Sequence, residues 1–126
     1  TDKDFQDTVK MVEYCGFDMT YIFKYSPRPG TPAFDMPDDV SAADKTIRFL
    51  ELECSQKLIQ QNRLQRYLNK VLKVLVEGKS ARSESLSGHS TCHKVVNFKG
   101  SSDLLGKTVD VRVTDIKANS LFGEVA

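Results

Sequence analysis

The sequence lacks the features that mark membrane and secreted proteins. It contains no run of about 18 apolar residues, so no transmembrane helix is predicted. Its start, Thr1-Asp2-Lys3-Asp4, is acidic and precedes no apolar core, unlike a signal peptide. The only cysteines are nearly forty residues apart, which argues against a disulfide framework and a compact metal motif: Cys15, Cys54 and Cys92. We therefore expect a protein of a reducing cytoplasm that makes no membrane contact.

Net charge is also nearly absent, since the formal value is only +1, but the charges are distributed unevenly. Residues 1–56 hold six basic and eleven acidic groups, whereas residues 57–82 hold seven basic groups and one acidic group. Residues 83–126 hold five of each. A basic block of this kind can bind phosphate, because each neutralised phosphate releases counterions. The alternative interpretation is a solvated helix face.

Residues 1–40 are predicted to form one helix and one strand. Thr1-x-x-Asp4 is a helix N-cap pattern, Gly16 is a helix stop, and Met19–Tyr25 has the composition of a strand. A lone strand has two unpaired edges and is not stable by itself. We therefore expect a preceding segment to supply the rest of the sheet. Without it, the unpaired edge and the apolar faces of the first two helices should cause self-association.

Residues 41–68 are predicted to form one long helix. Ser41-x-x-Asp44 supplies the N-cap pattern, and Asn69 is a plausible stop because asparagine tolerates the left-handed conformation. A stripe at helical spacing should face the core, and it contains Ile47, Leu50, Cys54 and Leu58. On this stripe Cys54 is expected to be a small buried thiol rather than a ligand or a nucleophile.

Residues 69–126 are predicted to form a small five-stranded antiparallel barrel of the OB type. The clearest alternation is Val109, Val111 and Val113 against polar neighbours. Glycines separate the short apolar segments, at positions 78, 88, 100, 106 and 123. Barrels of this type often bind oligonucleotides on one face.

A stiff loop follows the predicted strand, with the sequence Tyr25-Ser26-Pro27-Arg28-Pro29-Gly30-Thr31-Pro32-Ala33. Together with the long helix and a series of later segments, it resembles the C-terminal part of the radical-SAM methylthiotransferases. Those segments are Val76-Glu77-Gly78, Ser87-Gly88, Val95-Val96-Asn97-Phe98, Gly106-Lys107-Thr108-Val109-Asp110-Val111 and Ser120-Leu121-x-Gly123. The resemblance covers essentially the whole chain and is strongest to the MiaB type, which methylthiolates isopentenyl-adenosine beside the tRNA anticodon.

The resemblance implies an α+β architecture in three parts. Residues 1–40 would be the last αβ unit of a radical-SAM barrel, residues 41–68 a linking helix, and residues 69–126 a TRAM domain that binds RNA. The parent enzyme would contain two 4Fe–4S clusters and S-adenosylmethionine. The cluster motif C-x₃-C-x₂-C of the family is not in this sequence, so the chain alone should bind no cluster and be inactive.

The resemblance also assigns a role to the proline loop. Loops at the carboxyl ends of barrel strands line the active site, so Ser26, Arg28 and Thr31 would lie at its mouth. The guanidinium of Arg28 suits a tRNA phosphate or the carboxylate of the cofactor. The related enzymes that act on ribosomal protein tend to have an acidic residue there, so Arg28 favours tRNA. The alternative is that Arg28 pairs with an acidic neighbour and the loop is a rigid exit to the helix.

On the barrel, the candidate RNA-binding residues are basic or polar: Lys73, Lys79, Arg82, His89, Lys94, Asn97, Lys99 and Arg112. Phe122 is a candidate for stacking on a base, whereas Phe98, on the apolar face, is expected in the core. His89 stands where the family usually has arginine, which weakens phosphate attraction there or makes it pH-dependent. Cys92 and His93 are adjacent but have no predicted partners, so no metal site is expected.

Two further interpretations stay open. The chain can be a free-standing RNA-binding module without catalysis, or part of a related methylthiotransferase that acts on another tRNA adenosine or on a ribosomal protein. The predicted αβ unit favours the enzyme, because a binding module has no use for an unpaired strand and a rigid loop. The expected partners are therefore a tRNA anticodon stem-loop and the N-terminal domains of the same enzyme.

Overall fold

A computed structural model describes residues 1–80 and 85–126. These residues divide into two compact units, Thr1–Gln60 and Gln61–Ala126. The helices are α1 (Asp2–Cys15) and α2 (Ala42–Leu64), with short 3₁₀ turns at Pro32–Asp35, Gln65–Tyr67 and Ser102–Leu104. The strands are β1 (Val71–Lys79), β2 (Leu86–Ser90), β3 (Val95–Lys99), β4 (Thr108–Ile116) and β5 (Leu121–Val125).

The predicted helix caps of the first unit are confirmed. At the start of α1, the Thr1 hydroxyl accepts a hydrogen bond from the Asp4 amide at 3.2 Å, as part of a capping box. At its end, Gly16 adopts the left-handed conformation (φ 59°), and its amide donates to the Val12 carbonyl at 2.9 Å. Helix α2 begins similarly, because the Ser41 hydroxyl accepts from the Asp44 amide at 3.0 Å.

The predicted strand Met19–Tyr25 is wrong, because this segment has no regular secondary structure. A strand exists only where a neighbour supplies backbone partners, and the described part of this unit contains no other strand. Side chains fix the segment instead. The ammonium of Lys24 donates to the Thr46 hydroxyl on α2 at 2.8 Å, and the Tyr25 hydroxyl donates to the Ala33 carbonyl at 3.0 Å.

The predicted inward face of α2 is also wrong. Cys54 is exposed rather than buried, and so are the large apolar side chains that share its stripe: Ile47, Leu50 and Leu58. The helix instead turns a second line of residues inward, with Leu52 half-buried and Gln56 buried. The amide of Gln56 donates to the Phe17 carbonyl at 2.9 Å on this side. Both lines have helical spacing, so periodicity could not distinguish them.

The five predicted strands are confirmed, and they form a closed barrel in the order β1-β2-β3-β5-β4. One detail of the prediction is wrong, because β3 and β5 pair in parallel while the other four pairings are antiparallel. The chain reaches β5 from β4 through a tight connection, and closing the sheet then brings β5 alongside β3 in the same direction. Asn69 is left-handed (φ 64°) as expected, although the α-helix ends earlier, at Leu64.

The barrel is filled by aliphatic side chains and a single phenylalanine. The predicted core position of Phe98 is confirmed, since it is fully buried. The buried core cluster consists of Leu64, Val74, Val76, Leu86, Val96, Phe98, Val111, Val113 and Leu121. Strands β1 and β2 approach closely at Gly88, where a Cβ atom would lie 2.0 Å from the Leu75 carbonyl oxygen. Only glycine fits that position without a shift of the backbone.

Candidate nucleic-acid interface

The basic residues predicted to bind RNA lie in three places on the barrel rather than in one patch. The first place holds Lys79 and Lys99. Lys79 is the last residue of β1 and pairs with Leu86 of β2, and Leu86 pairs with Phe98 of β3, which Lys99 follows. Lys73 and Lys94 flank the other end of β2, and Arg112 is in register with Val71 and Glu124. Arg82 falls outside the described residues.

Several of these cations already face acidic or polar groups. Lys73 forms an ion pair with Asp110 at 3.2 Å, and the ring nitrogen Nδ1 of His89 lies 2.8 Å from the Glu77 carboxylate. The guanidinium of Arg112 donates to the Asn69 carbonyl at 3.4 Å. All these contacts lie at the exposed surface, where ion pairs are weak and remain exchangeable for a phosphate.

The outer face of β2 and β3 holds the most varied set of groups for contacting a nucleotide. His89 and Lys99 are exposed there, and Asn97 is half-buried between Ser87 and Phe122 in the register. The Asn97 amide donates to the Ser120 hydroxyl at 3.4 Å, which links the face to the β4–β5 connection. On β5, beside Asn97, Phe122 is half-buried and is the one aromatic side chain on the outer side of β2, β3 and β5 among the described residues, since Phe98 lies inside the barrel. A charged group, an amide and an aromatic ring therefore occur together on this surface.

The turn between β2 and β3 holds Cys92, a thiol with a perturbed pKa. Burial raises the pKa of Cys92, but hydrogen bonds with Ser90 and Tyr67 outweigh burial, so the net pKa is lowered. The Ser90 Oγ and Cys92 Sγ atoms are 3.1 Å apart. His93 follows in the left-handed conformation (φ 59°). Among the described residues, no three His, Cys, Asp or Glu side chains converge as a metal site would require.

The cysteines of this chain do not fit an iron–sulfur cluster. Such a cluster needs thiolates that converge on the metal. Cys15 lies on α1, Cys54 on α2 and Cys92 in the β2–β3 turn, all three as free thiols.

The proline loop forms a defined turn. Gly30 has a positive φ of 83°, as expected for the turn, and the Thr31 hydroxyl donates to the Arg28 carbonyl at 2.8 Å. Ser26, Arg28 and Thr31 are all exposed. Within the described residues the structure gives Arg28 no acidic partner, so the guanidinium is available to a ligand.

A cavity of about 460 Å³ in the first unit was missed by sequence reasoning. It has mainly apolar walls, including Phe5, Ile22 and Phe49, and a rim that carries Lys24 and Arg48. Its lining residues come from four separate segments, so no local pattern in the sequence marks it. The Arg48 guanidinium lies 5.7 Å from the centre of the Phe5 ring.

The C-terminal unit has the fold of a recognised domain class. Residues 65–126 match the TRAM domain family, and they contain the whole closed barrel. A TRAM domain suggests RNA binding. No helix in the described part of the chain is long and apolar enough to cross a membrane.

The chain as a whole resembles tRNA-2-methylthio-N(6)-dimethylallyladenosine synthases. It is 45% identical to the Vibrio campbellii protein over 126 residues, 46% to a Vibrio vulnificus protein over 128 residues, and 46% to the Erwinia tasmaniensis protein over 126 residues. These alignments cover 98–99% of this chain but only 26–27% of each relative. The chain therefore matches the C-terminal region of these synthases and spans about a quarter of the length of the curated relatives that it matches.

Proposed function

We propose that this chain is the RNA-binding C-terminal part of an enzyme that methylthiolates isopentenyl-adenosine next to the anticodon of tRNA. The observation that carries the proposal is similarity along the whole chain to synthases named for that product, together with the TRAM domain. In this proposal the enzyme acts in the cytoplasm. Its clusters and S-adenosylmethionine would be bound by other parts of the protein, because the cysteines here do not fit a cluster.

The RNA surface in this proposal is the outer face of β2 and β3 together with Lys79, the last residue of β1. OB-type barrels bind oligonucleotides with this face and with the loops beside it. Lys79 and Lys99 would contact phosphates, Asn97 a base edge or a sugar, and Phe122 the face of a base. Most of the affinity should come from phosphate contacts, which carry little sequence information.

The proline loop would supply the second contact. Arg28 lies on a turn that is fixed by Gly30 and by the Thr31 hydroxyl, so its position costs little conformational entropy on binding. An exposed guanidinium on such a turn suits a tRNA phosphate or a cofactor carboxylate. Ser26 and Thr31 would add hydroxyl contacts at the same mouth. Selection of the adenosine would depend on the catalytic part of the enzyme, where an extruded base is read.

The RNA surface is tested by titrating the chain with a tRNA anticodon stem-loop and with a scrambled hairpin at two salt concentrations. We expect weak binding of both RNAs and a steep loss of affinity with salt. Lys79→Ala and Lys99→Ala should each lower the slope of log K against log salt by roughly 0.7–0.9 and weaken both RNAs equally. Lys107→Ala is the matched control, because Lys107 is an exposed lysine just before β4 and is not among the candidates for RNA contact. Salt-insensitive binding, or no binding at low salt, would contradict the proposal.

A free-standing RNA-binding module is the second candidate, and the exposed TRAM-type barrel alone would suit it. The two candidates differ in the role of Arg28, which a simple module does not need. Arg28→Ala should lower methylthiolation when this chain is part of the complete enzyme, while stem-loop binding by the isolated chain loses at most about one phosphate contact. An unchanged methylthiolation rate would show that the proline loop takes no part in the reaction.

A further inference from the structure

The face of α2 that points away from the first unit carries an exposed apolar stripe. Its large side chains are 61%, 55% and 59% exposed at Ile47, Leu50 and Leu58, and Cys54 between them is also exposed. At 100° per residue, all four side chains fall within about 80° of the helix circumference, centred near Cys54. Exposed apolar patches of this kind mark interaction surfaces.

The spacing of the stripe is symmetrical about Cys54. Leu50 and Leu58 lie one turn on either side, about 6 Å along the helix axis. A second copy that runs antiparallel, with a two-fold axis beside Cys54, therefore places Leu50 level with Leu58 of the other copy. Ile47 then lies level with Gln61 of the other copy, a polar residue. A stripe with this symmetry complements itself, as an isologous interface requires.

The charges along one edge of the stripe also complement themselves. Glu53 and Lys57 lie on the same side of α2 and already form an ion pair at 3.6 Å within the helix. The two-fold axis keeps this edge on the same side of the pair of helices. It brings Lys57 of one copy within about 3 Å, along the axis, of Glu53 of the other. The two Glu53 residues are also about 3 Å apart along the axis, but Lys57 lies about 40° nearer to the contact line on the helix circumference and is therefore the closer partner of Glu53. The opposite edge carries Glu51, whose symmetry mate is about 9 Å away along the axis, so like charges do not meet.

We propose that α2 forms an antiparallel helix pair with a second copy of this chain, centred on Cys54. Helices that pack at 8–10 Å, with Cα atoms about 2.3 Å from each axis, bring facing Cα atoms to roughly 3.4–5.4 Å. This range overlaps the 4.4–6.8 Å that a disulfide needs, so the two Cys54 thiols come within reach of one another.

Analytical ultracentrifugation of the full chain in reductant tests the interface. We expect a monomer–dimer equilibrium at tens to hundreds of micromolar. Leu50→Glu and Leu58→Glu should each raise the dissociation constant at least about ten-fold, because each removes a buried leucine contact. Tyr14→Glu is the matched control, since Tyr14 is an exposed apolar side chain (91%) on α1, outside the stripe. A monomer at all concentrations, or equal effects of the three variants, would overturn the proposal.

Cross-linking gives a second test that does not depend on the leucine variants. All three cysteines are exposed, so single-cysteine variants can be made by serine substitution at the other two positions. Added diamide, a thiol-specific azo oxidant, takes two electrons and two protons from a pair of thiols and is reduced to the hydrazine as the disulfide forms. Two Cys54 thiols in one helix pair have an effective concentration in the millimolar range. The variant that keeps Cys54 should therefore form a disulfide-linked dimer about a hundred-fold faster than thiols that meet only by free diffusion. If Cys15 or Cys92 cross-links as fast as Cys54, the proposed geometry is wrong.

Discussion

At the scale of single residues, the glycines of β1 and β2 differ sharply in what surrounds them. A Cβ atom at Gly88 would lie 2.0 Å from the Leu75 carbonyl oxygen and 2.9 Å from the Val74 side chain. At Gly78 nothing lies within 4 Å of that position. We expect Gly88→Ala to lower the free energy of unfolding by about 2 kcal/mol, through forced separation of the strands. Gly78→Ala should change it by less than about 0.5 kcal/mol.

Denaturant unfolding of the two variants measures this difference, provided that the slope with denaturant is the same for both. Equal stability of the two alanine variants would show that β1 and β2 can separate at no cost.

Asp115 provides a prediction about pH. A hydrogen bond from Lys117 lowers the pKa of this carboxyl, and a second bond from the Ile116 amide at 2.8 Å lowers it further. Because the pKa is lower in the folded than in the unfolded state, the ionised form favours folding. This contribution is complete above the ordinary carboxyl range and is lost as the pH falls through the folded pKa.

The carboxyl signal of Asp115 in an NMR titration checks that direction. In the Lys117→Ala variant the pKa of Asp115 should rise towards its ordinary value, and Asp115→Asn should remove its part of the acid destabilisation. An unchanged pKa in Lys117→Ala would show that the ion pair does not persist in solution.

At the scale of residues, the sequence predicted the backbone conformation or the burial correctly wherever a local signal favours one outcome. Gly16, Gly30 and Asn69 have the left-handed backbone that their residue types favour, and Phe98 lies in the core as alternation indicated. Cys54 was mispredicted because its burial depends on which face of α2 finds a partner. That is a property of the fold, and no local pattern encodes it.

At the scale of elements, the caps of the helices support a prediction about α2. The Ser41 hydroxyl accepts from the Asp44 amide at 3.0 Å and donates to the Asp44 carboxylate at 2.7 Å. Ser41→Ala should lower the stability of the first unit by about 1 kcal/mol, and Ser41→Asn should retain most of it. Helical circular dichroism during thermal unfolding measures both variants. Equal losses for alanine and asparagine would mean that capping is not the cause.

The elements also show where prediction from sequence ends. The barrel strands were located because alternating valines and glycine turns are local signals. The parallel pairing of β3 and β5 was missed, since direction depends on how the sheet closes. Met19–Tyr25 has strand composition but no strand partner in the described unit, so propensity alone did not produce a strand. The ion pairs Lys73–Asp110 and His89–Glu77 equally depend on register.

At the scale of the whole molecule, the second unit contains its own complete core. Every member of the core cluster lies between Leu64 and Leu121, and the five strands close without an exposed edge. A closed barrel of this size is marginal but able to fold alone. We therefore expect residues 61–126 to fold cooperatively as an isolated domain, with coincident transitions by circular dichroism and by NMR.

The isolated domain then separates the barrel's RNA binding from that of the proline loop. If the β2–β3 face supplies most phosphate contacts, residues 61–126 should bind an anticodon stem-loop with nearly the salt slope of the full chain. Deleting the first unit removes Arg28 and with it at most about one phosphate contact. The slope of log K against log salt should therefore fall by no more than roughly 0.7–0.9. The Arg28→Ala variant of the full chain is the matched control, and it should show the same reduction as the deletion. A domain that folds but loses most of the slope would place the RNA surface on the first unit instead.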